Sequence, residues 1–423
     1  MLKFILDILS EPSILVGLVA LVGLLLQKKS FSECISGTVK TVMGFLILSG
    51  GATLVVNSLS YFGKIFEHGF GISGIVPNNE AIVALALNQL GTITALIMAF
   101  GMLVNILIAR FTKFKYIFLT GHHTLYMACM FASILYVGGI SGYVAVIIGS
   151  ILLGATMAII PALAQPFMKK IIGSDEVAFG HFGTFGYVLS ALIGKVVGKN
   201  SKSTEDIKFP QSLNFLRDTS VAISITMMIL FLIVTIVAGS NEVGRQFMNS
   251  LSGGKNIFVF SLIQSITFAG GVYIILSGVR LILGEIVPAF KGIAMKLVPN
   301  AKPALDCPIV FPYAPNAVLI GFLCSFLGGI VGLFVLILLG QPAILPGVVP
   351  HFFCGATAGV FGNITGGRKG AVIGAFANGI FITFLPALLL PVLSSLGFIG
   401  TTFSDADFGV IGVILGGIIN FIK

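Results

Sequence analysis

Charged side chains are scarce in this sequence. Asp, Glu, Lys and Arg together make up 9% of the 423 residues, whereas an ordinary soluble domain has about 25%. Hydrophobic residues make up 57%, and the mean hydropathy is +1.08. A water-facing surface cannot be assembled from so few polar groups, which excludes a soluble globular protein. The composition instead predicts a protein embedded in a lipid bilayer.

The motifs of several other protein classes are also missing. Five cysteines lie in or beside apolar segments without CxxC or His/Cys ligand spacing, which indicates neither a disulfide framework nor a zinc site. There is no Gly-rich phosphate loop with Lys and Ser/Thr, and no Ser/His/Asp arrangement. We therefore predict no ATP-driven pump, no catalytic residues, no metal and no cofactor. The net charge of +9 comes from short Lys/Arg clusters beside apolar runs, as the positive-inside tendency predicts, and does not indicate nucleic-acid binding.

Long apolar runs fill the chain. A bilayer core about 30 Å thick requires about 20 apolar residues for each spanning helix. The candidate spans are 12–27, 41–62, 81–109, 116–138, 142–168, 218–239, 256–283, 317–339, 343–363, 370–396 and 407–422. This pattern predicts an all-α, polytopic protein with about eleven transmembrane helices.

Gly and Pro interrupt several of these spans, around residues 50–51, 308–315, 346–350 and 362–367. Such interruptions favour discontinuous helices and re-entrant hairpins. At 50–51, the glycines either break the helix and expose amides or only permit close helix packing. Lys28 and Lys29 follow the first span and favour an outside N-terminus and an inside C-terminus.

The two halves of the chain resemble each other. A shift of 228 residues places ILSGGATLVVNSLSYFGKI on ILSGVRLILGEIVPAFKGI, His123 on His351 and Asn78 on Asp306. We predict a first repeat (1–197), a polar linker (198–217), a second repeat (218–400) and a terminal helix (401–423). The alternative is that short apolar segments are similar by chance. Repeats of five spans each must have opposite topology, which places a substrate site near the midplane, between half-helix dipoles.

Charged and imidazole side chains among the apolar runs are functional candidates, because each is costly at membrane depth. The candidates are His122, His123, Asp175, Glu176, His181, Arg280, Glu285, Asp306 and His351. Asp306 precedes a Pro-rich stretch whose freed backbone groups would surround it, and its carboxylate can accept hydroxyl hydrogen bonds; the alternative is a capping aspartate. His181 lies among glycines, either at a ligand or at a flexible tip. Since His122 and His123 are adjacent on a helix, at most one should face the site.

Several segments carry a specific resemblance. The words SGTVKTVMGF, LTGHH, FGHFG, GEIVPAFKGI, ALDCPIVFPYAPNAV and ILPGVVPHFFCGATAGVFGN resemble the membrane component, enzyme IIC, of the ascorbate branch of the phosphoenolpyruvate-dependent phosphotransferase system. The resemblance covers nearly the whole chain. It implies a multi-pass protein of the bacterial inner membrane, a homodimer with eleven helices, and interleaved core and V-shaped dimerisation domains. It also implies alternating access by movement of the core, with phosphoryl transfer carried out by a separate cytoplasmic EIIB protein.

The resemblance also implies substrate-binding positions. The family's glycine, two histidines and aspartate correspond to Gly51, His122, His181 and Asp306. Four further family positions carry different residues here, namely Ala52, Asn79, Tyr126 and Phe182. Exchanging amide side chains for aromatic rings removes hydrogen bonds to a polyhydroxylated ring, so a related sugar, sugar acid or polyol could replace L-ascorbate as the substrate.

Three functions are compatible with these residues. The first is a carrier subunit that translocates L-ascorbate or a related hydroxylated sugar for phosphorylation by EIIB. The second is an ion-coupled secondary transporter of a small polar solute, which shares the repeat architecture but needs no EIIB. The third is a structural or receptor-like membrane protein, which would show no saturable uptake.

Overall fold

The computed structural model describes residues 12–208, 215, 218–397 and 400–422. Helices dominate it, and short strands lie between them. The helices are α1 (Pro12–Leu26), α2 (Phe31–Phe70), α3 (Asn79–Phe111), α4 (Gly121–Val137), α5 (Gly142–Ile172), α6 (Thr184–Val197), α7 (Thr219–Ala238), α8 (Glu242–Leu251), α9 (Ile257–Leu297), α10 (Pro315–Leu338), α11 (Val348–Pro350, a π turn at His351–Gly355, and Ala356–Leu393) and α12 (Ala406–Ile422). The strands are β1 (Gly74–Pro77), β2 (Tyr116–Phe118), β3 (Ala178–Phe179), β4 (Lys302–Leu305), β5 (Ala343–Ile344) and β6 (Thr401–Thr402).

Many of the helices are suited to a bilayer. Within the described ranges, six segments are long and apolar enough to cross a membrane: Gln89–Phe111, Gly142–Ile172, Ser220–Ala238, Ile257–Ile275, Pro315–Leu338 and Val348–Leu396. Thr184–Val197 and Ala406–Ile422 are shorter apolar helices. Large apolar side chains are exposed on these helices, including Tyr143 (79%) and Leu338 (85%), as expected for residues that face lipid. The predicted multi-pass architecture is confirmed, while the figure of eleven spans stays a prediction.

Local sequence explains where several helices begin and end. Ser30 and Glu33 form a reciprocal capping box at the start of α2. The Asn78 side chain accepts the Ala81 N–H at the start of α3. At the other end of α5, Lys169 and Lys170 occupy the last turn, and Gly173 takes a left-handed conformation (φ 79°) that terminates the helix.

Short strands, which the sequence did not predict, accompany the predicted helices in the described part of the chain. They form two three-stranded sheets with the orders β5-β1-β6 and β2-β4-β3, and all pairings are parallel. Residues 116–118, which we predicted as the start of a helix, form β2. These strands have two to four residues and pair with segments far along the chain, so they leave no hairpin or periodicity signal in the sequence.

The sheets exchange strands between the two halves of the chain. β4 begins at Lys302, which is 228 residues after the start of β1 at Gly74. The same offset relates Tyr116 in β2 to Ile344 in β5. In one sheet β1 pairs with β5, and in the other β2 pairs with β4. The first strand of the first half (β1) therefore pairs with the second strand of the second half (β5). The second strand of the first half (β2) pairs with the first strand of the second half (β4).

The Gly/Pro interruptions have different outcomes. α2 is continuous through Gly51, so the alternative of a helix break there is wrong. A Cβ on Gly51 would lie 2.7 Å from the Ile275 backbone N and 2.8 Å from the Gly271 carbonyl oxygen, which means that this glycine permits close packing of α2 on α9. The Pro-rich stretch does break the helix, into two 3₁₀ turns at Cys307–Ile309 and Phe311–Tyr313. α11 is kinked at Gly366 and Gly367.

Residues 198–208 of the predicted linker pack against the second half of the chain. The Glu205 carboxylate accepts the backbone N–H groups of Asn316 and Ala317 and so caps the start of α10. Arg368 donates from Nε to the Ser203 carbonyl oxygen. Residues 209–214 and 216–217 of this linker lie outside the described residues.

Candidate functional site

A cavity of about 310 Å³ lies where both halves of the chain meet. Its walls come from the starts of α3, α4, α7 and α11, from α9, and from the segments that follow β3, β4 and β6. The lining residues are Asn79, Glu80, His122, His123, Tyr126, His181, Ser220, Ile223, Ala269, Val272, Tyr273, Asp306, Pro308, Phe311, Val349, Pro350, Phe353, Ser404 and Asp405.

The two sheets place the polar side chains of this cavity. The carboxyl ends of neighbouring parallel strands meet at one edge of a sheet, where ligands commonly bind. His181 follows β3, and Asp306 directly follows β4. Because Phe179 in β3 pairs with Leu305 in β4, His181 and Asp306 lie close together. In the other sheet, Asn79 follows β1 and Asp405 follows β6. Two strand ends of each sheet thus supply part of the polar lining, and the start of α4 supplies His122, His123 and Tyr126.

Asp306 forms the centre of a first polar cluster. Its Oδ2 lies 3.4 Å from His122 Nε2, and its Oδ1 lies 3.9 Å from His181 Nε2. The Cys307 backbone N–H donates to Oδ1 at 2.6 Å and fixes the carboxylate. The side chain is 33% exposed, so the carboxylate faces the cavity and can accept further hydrogen bonds.

Asp405 forms the centre of a second cluster. Its Oδ2 lies 3.9 Å from Nε2 of both His123 and His181. The Ser404 hydroxyl donates to its Oδ1 at 2.7 Å, and the Ser404 backbone N–H donates to Asn79 Oδ1 at 2.9 Å. These bonds tie the segment after β6 to the start of α3 and hold the carboxylate in place.

The protonated nitrogens of two histidines follow from their backbone partners. His123 Nδ1 accepts the Phe182 N–H at 3.3 Å, and His181 Nδ1 accepts the Gly183 N–H at 3.1 Å. A backbone N–H can only donate, so each Nδ1 is unprotonated and each neutral ring carries its proton on Nε2. Both Nε2–H groups are therefore hydrogen-bond donors on the side of the ring where the carboxylates lie.

Other polar atoms at the cavity lack a partner within the described part of the chain. Tyr126 Oη and His122 Nδ1 are buried there and make no hydrogen bond. Since an unpaired buried polar group costs about 1–3 kcal/mol, such groups favour a bound solute or water that satisfies them.

The structure brings most of the sequence-predicted site residues together. Asn79, His122, Tyr126, His181 and Asp306 line the cavity. Gly51 does not; it lies at the α2–α9 contact. Ala52 lies in α2, but its side chain is outside the described residues. Phe182 is fully buried, with its ring stacked on Phe118 at 4.7 Å. It does not line the cavity, but its backbone N–H donates to His123 Nδ1 and its ring lies 5.9 Å from the His123 ring.

One expectation about the histidine pair is wrong. Both His122 and His123 line the cavity, with ring centroids 4.7 Å apart. They occupy the first turn of α4, at the end of a helix, where the cavity extends around both side chains. His122 is directed to Asp306, and His123 is directed to His181 and Asp405.

Glu80, Ser404 and Asp405 also line the cavity, although no prediction from the sequence included them. Asp405 and Asp407 are acids in an apolar setting, so the rule that singled out Asp306 would have found them. Of these two, only Asp405 lines the cavity. Asp407 Oδ1 accepts the Phe185 N–H at 2.8 Å and stabilises the loop that carries His181.

Other polar candidates have structural partners. Asp175 bridges Lys169 (2.7 Å) at the end of α5 and Lys302 (2.6 Å) in β4. Lys169, Lys302 and Gln165 hold the pKa of the Asp175 carboxyl well below its ordinary value. His351 Nδ1 lies 2.9 Å from the Ser325 hydroxyl, away from the cavity. The side chains of Arg280 and Glu285 lie outside the described residues.

Comparison with known proteins agrees with this architecture. Residues 7–407 match the family model EIIC-GAT, described as the PTS system sugar-specific permease component. The chain is also similar to the "Ascorbate-specific PTS system EIIC component" of Mycoplasma pneumoniae, with 26% identity over 87% of this chain. The match covers 63% of that relative, so this chain spans less than two thirds of its length.

Proposed function

The chain belongs to the EIIC-GAT family of PTS sugar-specific permease components, and we propose that it carries a small hydroxylated solute across the bilayer. The proposed solute is L-ascorbate or a related sugar, sugar acid or polyol. A separate phosphorylated EIIB protein receives the solute on the cytoplasmic face and performs the phosphoryl transfer. In this proposal the present chain binds and moves the solute and contributes no catalytic residue.

The convergence of His122, His181 and Asp306 in one cavity is the observation that carries this proposal. Asp306 accepts hydrogen bonds from solute hydroxyls, and the His181 Nε2–H donates to solute oxygens. The apolar remainder of the wall, including Val272, Phe311 and Phe353, would pack against the carbon skeleton. A mostly apolar cavity with a small number of polar groups at defined positions is typical of sites for small solutes.

The strand exchange supports the transport architecture that we propose. The 228-residue offset between corresponding strands is consistent with two inverted five-helix repeats. In such carriers the solute site lies between the repeats, and one part of the protein moves against the other around it. We extend the proposal to a homodimer in the bacterial inner membrane, in which a core domain moves and a V-shaped domain dimerises.

Reconstituted vesicles test this function. Purified chain in proteoliposomes is supplied with radiolabelled L-ascorbate or a pentitol on the outside, and with phosphorylated EIIB inside. Phosphorylated solute should accumulate inside only when both proteins are present. Uptake of unmodified solute driven by a proton or sodium gradient, without EIIB, would instead establish the ion-coupled transporter.

Two variants control the vesicle experiment. Asp306→Asn should abolish most uptake, because it removes the carboxylate at the cavity. Asp218→Asn makes the same chemical change at an exposed residue that caps α7, where Asn caps equally well. Equal uptake by both variants would remove Asp306 from the proposed site.

A further inference from the structure

We propose that His123 and Asp405 form a second hydroxyl-binding pair beside His122 and Asp306, so that the cavity prefers an uncharged polyol or sugar to a sugar acid. This inference rests on the proposed function and specifies the substrate class of the same site. It adds two residues that the sequence resemblance did not indicate as substrate-binding.

The carboxylate of Asp405 lies near two histidine nitrogens without bonding to either. Asp405 Oδ2 lies 3.9 Å from His123 Nε2 and 3.9 Å from His181 Nε2. Direct hydrogen bonds between nitrogen and oxygen have lengths of about 2.7–3.2 Å, so these groups do not bond to each other. A single oxygen atom placed beside the gap can lie within hydrogen-bond distance of both partners.

The backbone fixes the tautomers of His123 and His181. Because the Phe182 N–H occupies His123 Nδ1 and the Gly183 N–H occupies His181 Nδ1, each ring presents a donor at Nε2. The Tyr187 hydroxyl is a second partner of His181 Nδ1, at 2.8 Å, and helps to orient that ring. Each Nε2–H donor therefore faces a carboxylate acceptor across a short gap.

Such a gap distinguishes a hydroxyl from a carboxylate. A hydroxyl oxygen accepts the Nε2–H and donates its own proton to the carboxylate, which satisfies both partners. An ionised carboxylate of the solute has no proton to donate, so its oxygen would meet the oxygen of Asp405 or Asp306 with like charge at close range. An uncharged diol fits the two gaps, while an anion is disfavoured in both.

The composition of the lining agrees with this distinction. Glu80, Asp306 and Asp405 all line the cavity, and among the described residues that do so there is no Lys or Arg. Sites that recognise carboxylates or phosphates usually supply Arg or Lys. The buried Tyr126 hydroxyl, which has no partner in the described chain, offers a further contact to a hydroxyl.

The same geometry argues against a metal at these residues. The side-chain atoms of His123, His181 and Asp405 lie within 4.8 Å of one another, close enough for a metal by distance alone. A metal binds the unprotonated nitrogen of a histidine whose other nitrogen donates a hydrogen bond. Here the backbone N–H groups occupy Nδ1 of both rings, which leaves Nε2 protonated and unsuitable as a ligand.

Equilibrium binding with matched solutes tests the inference. Purified full-length chain is titrated calorimetrically with xylitol and xylonate, with galactitol and galactonate, and with L-ascorbate, which is an anion at neutral pH. We expect the better polyol to bind at least tenfold more tightly than its acid and than ascorbate. Equal or tighter binding of the acids, or no binding of either polyol at millimolar concentration, overturns the inference.

Asp405→Asn tests the role of the second pair, with Asp218→Asn as the matched control. Asp405→Asn should weaken polyol binding at least tenfold and reduce the preference over the acid, whereas the control should leave both affinities unchanged. If Asp405→Asn is not monodisperse, His123→Phe replaces it, because Phe keeps an aromatic ring and removes the Nε2–H donor; it should weaken polyol binding at least tenfold, and unchanged binding would exclude the pair. A folded Asp405→Asn variant with wild-type affinities and preference would exclude Asp405 from the site.

The inference and the proposed function fail separately. Selective polyol binding without any EIIB-dependent phosphorylation would overturn the phosphotransferase function and retain the substrate class. Phosphorylation of ascorbate at least as efficient as that of the polyols, with equally tight binding, would retain the function and overturn the substrate class.

Discussion

His181 Nε2 lies 3.9 Å from Asp306 Oδ1, although the two residues belong to different halves of the chain. Their approach follows from strand register, because Phe179 in β3 pairs with Leu305 in β4 and each polar residue follows its own strand. Two short parallel strands thus bring an imidazole and a carboxylate together at the edge of an apolar core. The site therefore depends on this pairing as well as on the start of α4, which carries His122 and His123.

Removing the Asp306 charge should weaken solute binding. Asp306→Asn replaces a carboxylate that accepts hydroxyl hydrogen bonds, and bonds to a charged group contribute about 1.5–3 kcal/mol. We expect at least a tenfold rise in the dissociation constant of the preferred solute, measured by calorimetry. A thermal unfolding midpoint close to the wild-type value would show that the loss is local, and an unchanged dissociation constant would contradict the assignment.

Tyr187 should position His181 without touching the solute. Its hydroxyl lies 2.8 Å from His181 Nδ1, and the Tyr187 side chain is fully buried. Tyr187→Phe removes one neutral hydrogen bond, so stability should fall by about 1 kcal/mol, and solute affinity should fall by up to about fivefold because the His181 ring is held less firmly. Nitrogen NMR of labelled histidines should show a perturbed His181 signal that still indicates Nε2–H. An unperturbed His181 signal would show that Tyr187 does not orient the ring.

Two adjacent glycines of α2 should respond differently to alanine. A Cβ on Gly51 would lie 2.7 Å from the Ile275 backbone N, whereas a Cβ on Gly50 meets nothing within 4 Å. Gly51→Ala should cost about 1–3 kcal/mol through overpacking, while Gly50→Ala should be neutral or stabilising because Ala favours the helix by about 1 kcal/mol. Thermal unfolding in detergent measures both. Equal stability of the two variants would contradict the close α2–α9 contact.

The ion pairs of Asp175 should contribute stability that depends on pH. Because its pKa is lowered in the folded chain, the contribution is present above the ordinary carboxyl pKa of about 3.9 and is lost as the pH falls towards the folded value. Asp175→Asn should lower stability by about 0.5–1 kcal/mol at neutral pH, since both lysine partners are partly exposed. Unfolding midpoints of both proteins should differ equally at pH 7 and pH 5 and converge below pH 4. A difference that persists at low pH would assign the effect to something other than the carboxylate.

The features that depend on local composition were predictable from the sequence. Hydropathy identified the membrane helices, and the cost of burying charge singled out His122, His181 and Asp306. The break before α10 followed from its prolines, and the 228-residue offset reappeared in the strand pairs. Each of these signals is contained in a short stretch of chain or in a direct comparison of two stretches.

Features that depend on tertiary contacts were not predictable in the same way. The six short strands are recognisable only through partners far along the chain. From the sequence, Gly51 is compatible with a helix break and with a packing position. Only its contact with α9 distinguishes the two. The cost of burying charge applies to Asp405 as it does to Asp306, but the neighbours of Asp405 in the cavity are set by the pairing of β6 with β1.

A structure of the chain with bound xylitol tests the central claim most directly, namely that a solute is held where His122, His181 and Asp306 converge. The account predicts solute hydroxyls within hydrogen-bond distance of the Asp306 carboxylate and of His181 Nε2, with a further hydroxyl between Asp405 and His123. Solute bound elsewhere at saturating concentration, with this cavity occupied only by water, would contradict it.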